Sequence, residues 1–114
     1  MVGKRVLVVD DELSVRELLT TLLERLGHAS ETACNAVEAL VKVENTDFDL
    51  ILSDLNMPGM KGDELAREIK RRKKGTPVVL ITGSQSQNVS PDFDRVLLKP
   101  FAMQELRETL ASLS

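Results

Sequence analysis

The chain has no tryptophan, no tyrosine and only three phenylalanines. Its core is therefore expected to be built from Leu, Val, Ile and Ala. A single cysteine, Cys34, excludes an internal disulfide framework and a cysteine-built zinc site. That scarcity points to a reducing, cytoplasmic setting. No apolar run approaches the ~20 residues of a bilayer-spanning helix. The start, Met1-Val2-Gly3-Lys4-Arg5, leads into only four apolar residues before Asp10, too few for the core of a signal peptide. Charge of one sign is also scarce: 15 basic residues stand against 18 acidic ones, a net of −3. That balance serves solubility and gives no electrostatic footprint for nucleic acid. The six glycines form neither a Walker loop nor a dinucleotide fingerprint.

What is present fits one folded domain. The 114 residues are 42% apolar and 29% charged, close to globular averages. Four short continuous apolar runs recur: Val6-Leu7-Val8-Val9, Leu50-Ile51-Leu52, Val78-Val79-Leu80-Ile81 and Val96-Leu97-Leu98. Runs of this kind suit strands buried on both faces. Residues 30–33 are too polar for a central strand and read as a weak edge strand. Helical periods lie between the strands. Val15, Leu18, Leu19, Leu22, Leu23 and Leu26 share one face of a first helix, with Ser14 and Glu17 as a capping box and Gly27 just past its end. Asn35 and Glu38 open a second helix that carries Val37, Leu40 and Val43 or Val41 inside. A third spans about 62–72, burying Leu65, Ala66 and Ile69. A last one spans about 103–113, with Met103, Leu106, Leu110 and Leu113 on one face.

Strands alternating with helices predict a parallel sheet covered on both sides. Right-handed crossovers favour the strand order 2-1-3-4-5, with ligands beside strands 1 and 3. The weak link is residues 84–94, which contain Pro91 and have no amphipathic period. A loop is expected there, with at most one irregular helical turn.

In a parallel sheet, chemistry collects just past the C-terminal strand ends. Those positions hold Asp10, Asp11 and Glu12 after strand 1, Asp54 after strand 3, Thr82-Gly83-Ser84 after strand 4 and Lys99-Pro100 after strand 5. Asp10, Asp11 and Asp54 would converge and repel unless a cation intervenes. A hard divalent ion such as Mg²⁺ answers that repulsion. Lys99 adds a positive charge, Thr82 a hydroxyl donor, and Gly83 leaves space. These groups match the charge that phosphoryl transfer spreads over three oxygens. An aspartate can itself be the nucleophile, and Asp54 stands alone while Asp10 and Asp11 are paired.

Val8-Val9-Asp10-Asp11-Glu12, Ser53-Asp54-Leu55-Asn56-Met57-Pro58-Gly59, Thr82-Gly83 and Lys99-Pro100-Phe101 together resemble the receiver domain of two-component response regulators. The resemblance covers essentially the whole chain. It implies a flavodoxin-like (βα)5 three-layer sandwich as a single receiver domain over residues 1–114, without an output domain. It implies phosphotransfer to Asp54 from a phosphohistidine on a sensor histidine kinase or a histidine phosphotransfer protein, with an unknown downstream protein as output. Asp11 and Asp54 would bind Mg²⁺, or Mn²⁺ in its place, Asp10 would assist through water, and the backbone carbonyl of Asn56 would be a further ligand. Thr82 and Lys99 would hold the phosphoryl oxygens, and the Lys99–Pro100 bond would be cis. Such a module accepts phosphate without turning over a separate substrate.

Two features depart from that family. The aromatic usually found three positions before the lysine is replaced by Val96, and Phe93 is not aligned with it. Thr82 and Lys99 stand only 17 positions apart, so the family's fourth helix is expected to be shortened or lost. An intact phosphorylation site with a non-standard output follows from both.

Plainer readings stand beside these. Asp10 and Asp11 could cap the first helix, and 57–59 could be a plain turn. Thr82 alone reads as an ordinary strand-end residue and Lys99 alone as a solvated lysine. His28 reads as a loop residue and Cys34 as a packing residue. Residues 61–74 carry seven basic and three acidic side chains, read as a solvated helix end or a docking patch for an acidic partner. Two other functions compete with the phosphoacceptor. One is a receiver-shaped interaction module that never uses its phosphate site. The other is a haloacid-dehalogenase-type phosphatase, which would need an Asp-x-Asp pattern after strand 1 and a cap domain. The chain could be a stand-alone regulator or the receiver of a hybrid kinase.

Overall fold

The computed structural model describes residues 3–83 and 89–113. Five strands, β1 (Arg5–Val9), β2 (Ala29–Ala33), β3 (Leu50–Asp54), β4 (Val78–Thr82) and β5 (Arg95–Leu98), alternate with α1 (Leu13–Arg25), α2 (Ala36–Asn45), α3 (Gly62–Arg72) and α4 (Met103–Ser112). The sheet is wholly parallel in the order β2-β1-β3-β4-β5, as the alternation predicts. Adjacent residues along β1, β3 and β4 point to opposite faces, and both faces are covered. Leu7, Val9, Ile51 and Leu80 pack against α2 and α3. Val6, Val8, Leu50, Leu52, Val79 and Ile81 pack against α1 and α4. Burial on both sides is the reason these strands read as unbroken apolar runs.

Local signals explain the helix ends. Gly27 takes φ +88°, and the Gly27 and His28 N–H groups return to the carbonyls of Glu24 and Leu23, which closes α1 in a Schellman turn. The His28 Nδ1 accepts the Lys4 N–H at 2.9 Å, a structural loop role. Asn35 caps α2, its Oδ1 accepting the Glu38 N–H at 2.8 Å. The expected Ser14–Glu17 capping box does not form. The Glu12 N–H bonds Asp10 Oδ1 at 2.9 Å, so α1 starts at Leu13 and Ser14 lies inside the first turn.

Two expected core positions on the helices, Leu18 and Val37, face outward, and of the alternatives Val43 and Val41 it is Val43 that is buried. Leu18 lies on the flank of the α1 stripe and is exposed, as are Val37 and Val41. On α2 the inward face uses Ala36, Ala39, Leu40 and Val43, whose small side chains let the helix approach the sheet. β5 is an edge strand of which only Leu97 is buried, while Val96 and Leu98 are exposed. The reason is tertiary: among the described residues no helix follows β4 to cover that face. Residues 84–88 of the expected loop lie outside the described residues. Residues 89–94 carry no helix and include a turn in which the Phe93 N–H bonds the Ser90 carbonyl at 3.2 Å.

The basic run at the end of α3 is paired internally. Lys70 binds Asp94 at 2.6 Å, Arg71 binds Glu68 at 2.7 Å, Lys73 binds Asp47 at 2.6 Å, and Arg72 binds Glu44. The Arg71–Glu68 pair lies within α3, and the other three staple the end of α3 to α2, to the α2–β3 loop and to the start of β5. Asp94 Oδ2 also accepts the Val78 N–H at 2.8 Å, tying β5 to β4. Burial alone would raise its pKa, but the Lys70 ammonium and the Val78 N–H more than offset this and lower it. Asp94→Ala is expected to cost about 1 kcal/mol, less than the roughly 1.5–3 kcal/mol of a charged hydrogen bond because solvent partly screens it. Because the folded pKa is depressed, this contribution is complete above the unfolded value of about 4 and fades as pH falls through the folded one. Urea melts of both proteins at pH 7 and pH 3.5 should show the gap narrowing; a constant gap contradicts the staple.

Candidate functional site

Register brings the acidic residues together. Val9 pairs with Ser53, so Asp10 and Asp54 occupy equivalent places one step on, at the switch point where β1 and β3 send their connections to opposite faces. Asp54 pairs with Ile81, and Thr82 with Leu98. Thr82 and Lys99 therefore end at the same rim. The Lys99 N–H donates to the Thr82 carbonyl at 2.8 Å, and the Lys99–Pro100 bond is cis.

Asp10 is only 2% exposed. Its Oδ1 accepts the Glu12 N–H, its Oδ2 lies 3.9 Å from Lys99 Nζ, and its carbonyl accepts from Arg16 Nη1 at 2.7 Å. Asp54 Oδ1 accepts the Leu55 N–H at 2.8 Å, and the Ser53 hydroxyl donates to the Asp54 carbonyl at 2.9 Å. Thr82 is buried at the end of β4. Asn56 is exposed in the loop after β3. Asp10, Asp11 and Glu12 bring carboxylate oxygens within 4.8 Å of one another. Asp54 is not part of that tight set, but it feels the charge of Asp11 and acts on Asp10.

The electrostatics carry the cation argument. Burial raises the Asp10 pKa, the Glu12 N–H opposes this, and Asp54 and Asp11 push it up further while Lys99 pulls it down. Burial likewise raises Asp54, against the Leu55 N–H and Lys99, with Asp11 adding to the rise. One lysine does not balance this group. An oxygen-only donor set with excess negative charge fits a hard divalent cation such as Mg²⁺. The simple helix-cap reading of Asp10 fails, because its carboxylate satisfies only the N–H of Glu12, before the first helical residue.

Sequence reasoning missed three supporting residues. Arg16 and Ser53 anchor the Asp10 and Asp54 backbones, and neither spacing nor residue type signals this. Gly62, the first residue of α3, approaches the acceptor strand so closely that a Cβ there would lie 2.2 Å from the Asp54 carbonyl oxygen and 2.9 Å from Leu55 Cα. The Gly62 N–H also bonds the Leu55 carbonyl at 2.9 Å. Cys34 sits off the site, half-buried. The Glu38 carboxylate that accepts its S–H at 3.2 Å raises its pKa, which disfavours the reactive thiolate.

Comparison with known proteins gives one consistent answer. The model of the family described as response regulator receiver domain matches residues 6–111. The transcriptional regulatory protein ResD of Bacillus subtilis is 40% identical over 107 residues, 90% of this chain and 44% of its own length. The sensor histidine kinase RcsC of Salmonella typhi is 35% identical over 111 residues, 93% of this chain and 12% of its own. Across the regulators ResD, PhoP and TcrA, the chain spans about half of each relative's length. Among solved structures, the Thermotoga maritima response regulator TrrA in complex with Mg²⁺–BeF is 39% identical with a TM-score of 0.91, covering 97% of this chain and 99% of that one. The Vibrio cholerae chemotaxis protein CheY4 is 32% identical with a TM-score of 0.92, covering 100% of both chains. TrrA in complex with the histidine kinase ThkA matches at 38% identity and a TM-score of 0.87, over 96% of this chain and 97% of that one. Among the described residues no helix is long and apolar enough to cross a membrane.

Proposed function

The chain belongs to the response regulator receiver domain family, and from that premise we propose that Asp54 is its phosphoacceptor, taking a phosphoryl group from a phosphohistidine of a sensor histidine kinase or a histidine phosphotransfer protein. The observation that carries this reading is the convergence of Asp10, Asp54, Thr82 and Lys99 at one rim of the sheet.

Asp54 is half-buried, with one carboxylate oxygen engaged by the Leu55 N–H. The other oxygen attacks phosphorus. The bond from phosphorus to the donor imidazole nitrogen breaks, the imidazole takes up a proton, and an aspartyl phosphate remains. Lys99, already drawn toward the carboxylates, shifts to the phosphoryl oxygens, and the Thr82 hydroxyl donates to them. Asp10, Asp11, Asp54 and the Asn56 carbonyl would hold Mg²⁺, with Mn²⁺ able to replace it. When bound, the cation supplies charge neutralisation at carboxylates and phosphoryl oxygens. Water later hydrolyses the acyl phosphate, so the domain resets without turning over another substrate. A cytoplasmic receiver module that signals to a downstream protein completes the reading.

The test is intact-mass spectrometry after incubation with acetyl phosphate and MgCl2. One phosphate adduct is expected, and EDTA should remove it. Beryllofluoride binding with no adduct from acetyl phosphate or from any phosphorylated donor domain would contradict phosphotransfer and favour a phosphorylation-independent interaction module.

A further inference from the structure

On the face of the sheet that carries α2 and α3, no described helix lies beyond α3 over β4 and β5. Beside α3 this leaves a groove of about 410 Å³. Its floor is apolar, with Leu80 and Phe93 buried and Leu55 and Val89 half-buried. Its rim is cationic. Lys61 and Arg67 line it, are exposed, and make no ion pair among the described residues, whereas Lys70, Arg71 and Arg72 on the same helix are each held by a carboxylate. The one rim carboxylate, Asp63, lies in the first turn of α3, where the helix dipole already opposes its charge.

The groove is also continuous with the acceptor. Leu55 and Asn56 follow Asp54 directly and line it. Gly62 leaves no slack between α3 and the Asp54 carbonyl, so a displacement at the end of β3 must move the first turn of α3, which carries Asp63 and is preceded by Lys61.

We propose that this groove docks an amphipathic helix of a partner protein, with apolar anchors on the floor and acidic side chains against Lys61 and Arg67, and that its occupancy is coupled to the state of Asp54. The sheet supplies the shape: a strip over β4 and β5 beside α3 that no described helix covers is the space a helix fills in a layered α/β fold. The charge argument selects the partner, since unpaired cations rimming an apolar floor complement an acidic flank. Only the coupling rests on the phosphoacceptor reading; the docking does not.

The test uses the intact chain and a yeast-displayed library of helices about four turns long. The library is apolar at i, i+3, i+4 and i+7 and randomised among Glu, Lys and Gln on the flanks. Sorting is done with and without beryllofluoride and Mg²⁺. Enriched helices should carry Glu flanks and perturb the amide signals of Leu55, Val89 and Phe93. They should lose at least tenfold in affinity to a Lys61→Glu/Arg67→Glu variant, and Lys-flanked versions should regain it. Circular dichroism and acetyl phosphate uptake of that variant should match the parent. Enrichment of basic or neutral flanks, insensitivity to the charge reversal, signal changes confined to α4, or no enrichment would overturn the docking. So would a dimer of the chain alone, seen by sedimentation velocity and lost in the same variant, because the groove would then serve a second copy. Groove binding of equal strength with and without beryllofluoride would overturn the coupling alone.

Discussion

Asp54→Asn is expected to abolish phosphoryl uptake while leaving the fold intact. Asparagine keeps the shape of the side chain and can still accept the Leu55 N–H that Asp54 Oδ1 receives at 2.8 Å. It removes the nucleophilic oxygen, and loss of a nucleophile costs catalysed reactions far more than ~100-fold. It also removes a partly buried charge that raises the pKa of the buried Asp10. The variant should therefore melt at or above the parent temperature in metal-free buffer. Added Mg²⁺ should reverse that order. A ligand at ten times its dissociation constant stabilises the folded state by about 1.4 kcal/mol, and the variant lacks one of the carboxylates that would hold the cation. Thermal melts with and without MgCl2 read both effects. Equal Mg²⁺ stabilisation of the two proteins would remove Asp54 from the proposed ligand set.

Gly62→Ala is expected to give the largest stability loss of any single methyl added to this chain's functional face. Added carbon normally costs a packed interior about 1–3 kcal/mol when neighbouring side chains can yield. Here the atoms in the way are backbone: the Asp54 carbonyl oxygen at 2.2 Å, Leu55 Cα at 2.9 Å and the Asp54 carbonyl carbon at 3.1 Å. None can rotate away. The first turn of α3 must lift or the end of β3 must shift, and the Gly62 N–H to Leu55 carbonyl bond is stretched in either case. A loss of about 3 kcal/mol follows, together with slower phosphoryl uptake because Asp54 itself moves. Gly75→Ala is the control, since a Cβ there meets nothing within 4 Å. Urea unfolding and acetyl phosphate kinetics on both variants separate the effects. Two equally stable, equally reactive variants would contradict the close approach.

The residues that proved legible in the sequence are those whose signal is local or periodic. Val6–Val9 and Val78–Ile81 announce doubly covered strands because neighbours on both faces demand apolar side chains at every position. Gly27 and Asn35 announce helix ends because the left-handed turn and the cap select those residue types. The convergence of Asp10, Asp54, Thr82 and Lys99 at one rim was legible once each was read as the residue at a strand end. What stayed hidden depends on distant partners. Ser14 looks like a cap until the Asp10 carboxylate takes the Glu12 N–H and α1 starts earlier. Leu18, Val37 and Val41 satisfy a helical period, but which flank of the stripe is covered is decided by the neighbouring layer. Val96 and Leu98 read as core, yet their cover would come from the segment after β4. The basic end of α3 looks like a free patch because Glu44, Asp47 and Asp94 are remote in sequence. Lys61 and Arg67, less conspicuous in that run, are the cations left unpaired among the described residues of α3 and its N-terminal flank.

Reductive trapping of the phosphorylated chain tests the account most directly. The protein is treated with acetyl phosphate and MgCl2, then with borohydride, which reduces an acyl phosphate to the alcohol and so converts a phosphorylated aspartate to homoserine. Peptide mass spectrometry then identifies the position. The account predicts homoserine at position 54 alone, absent without donor and absent with EDTA. Homoserine at position 10 or 11 instead, or a phosphate adduct that survives borohydride on another residue type, would contradict the assignment of Asp54 as the acceptor.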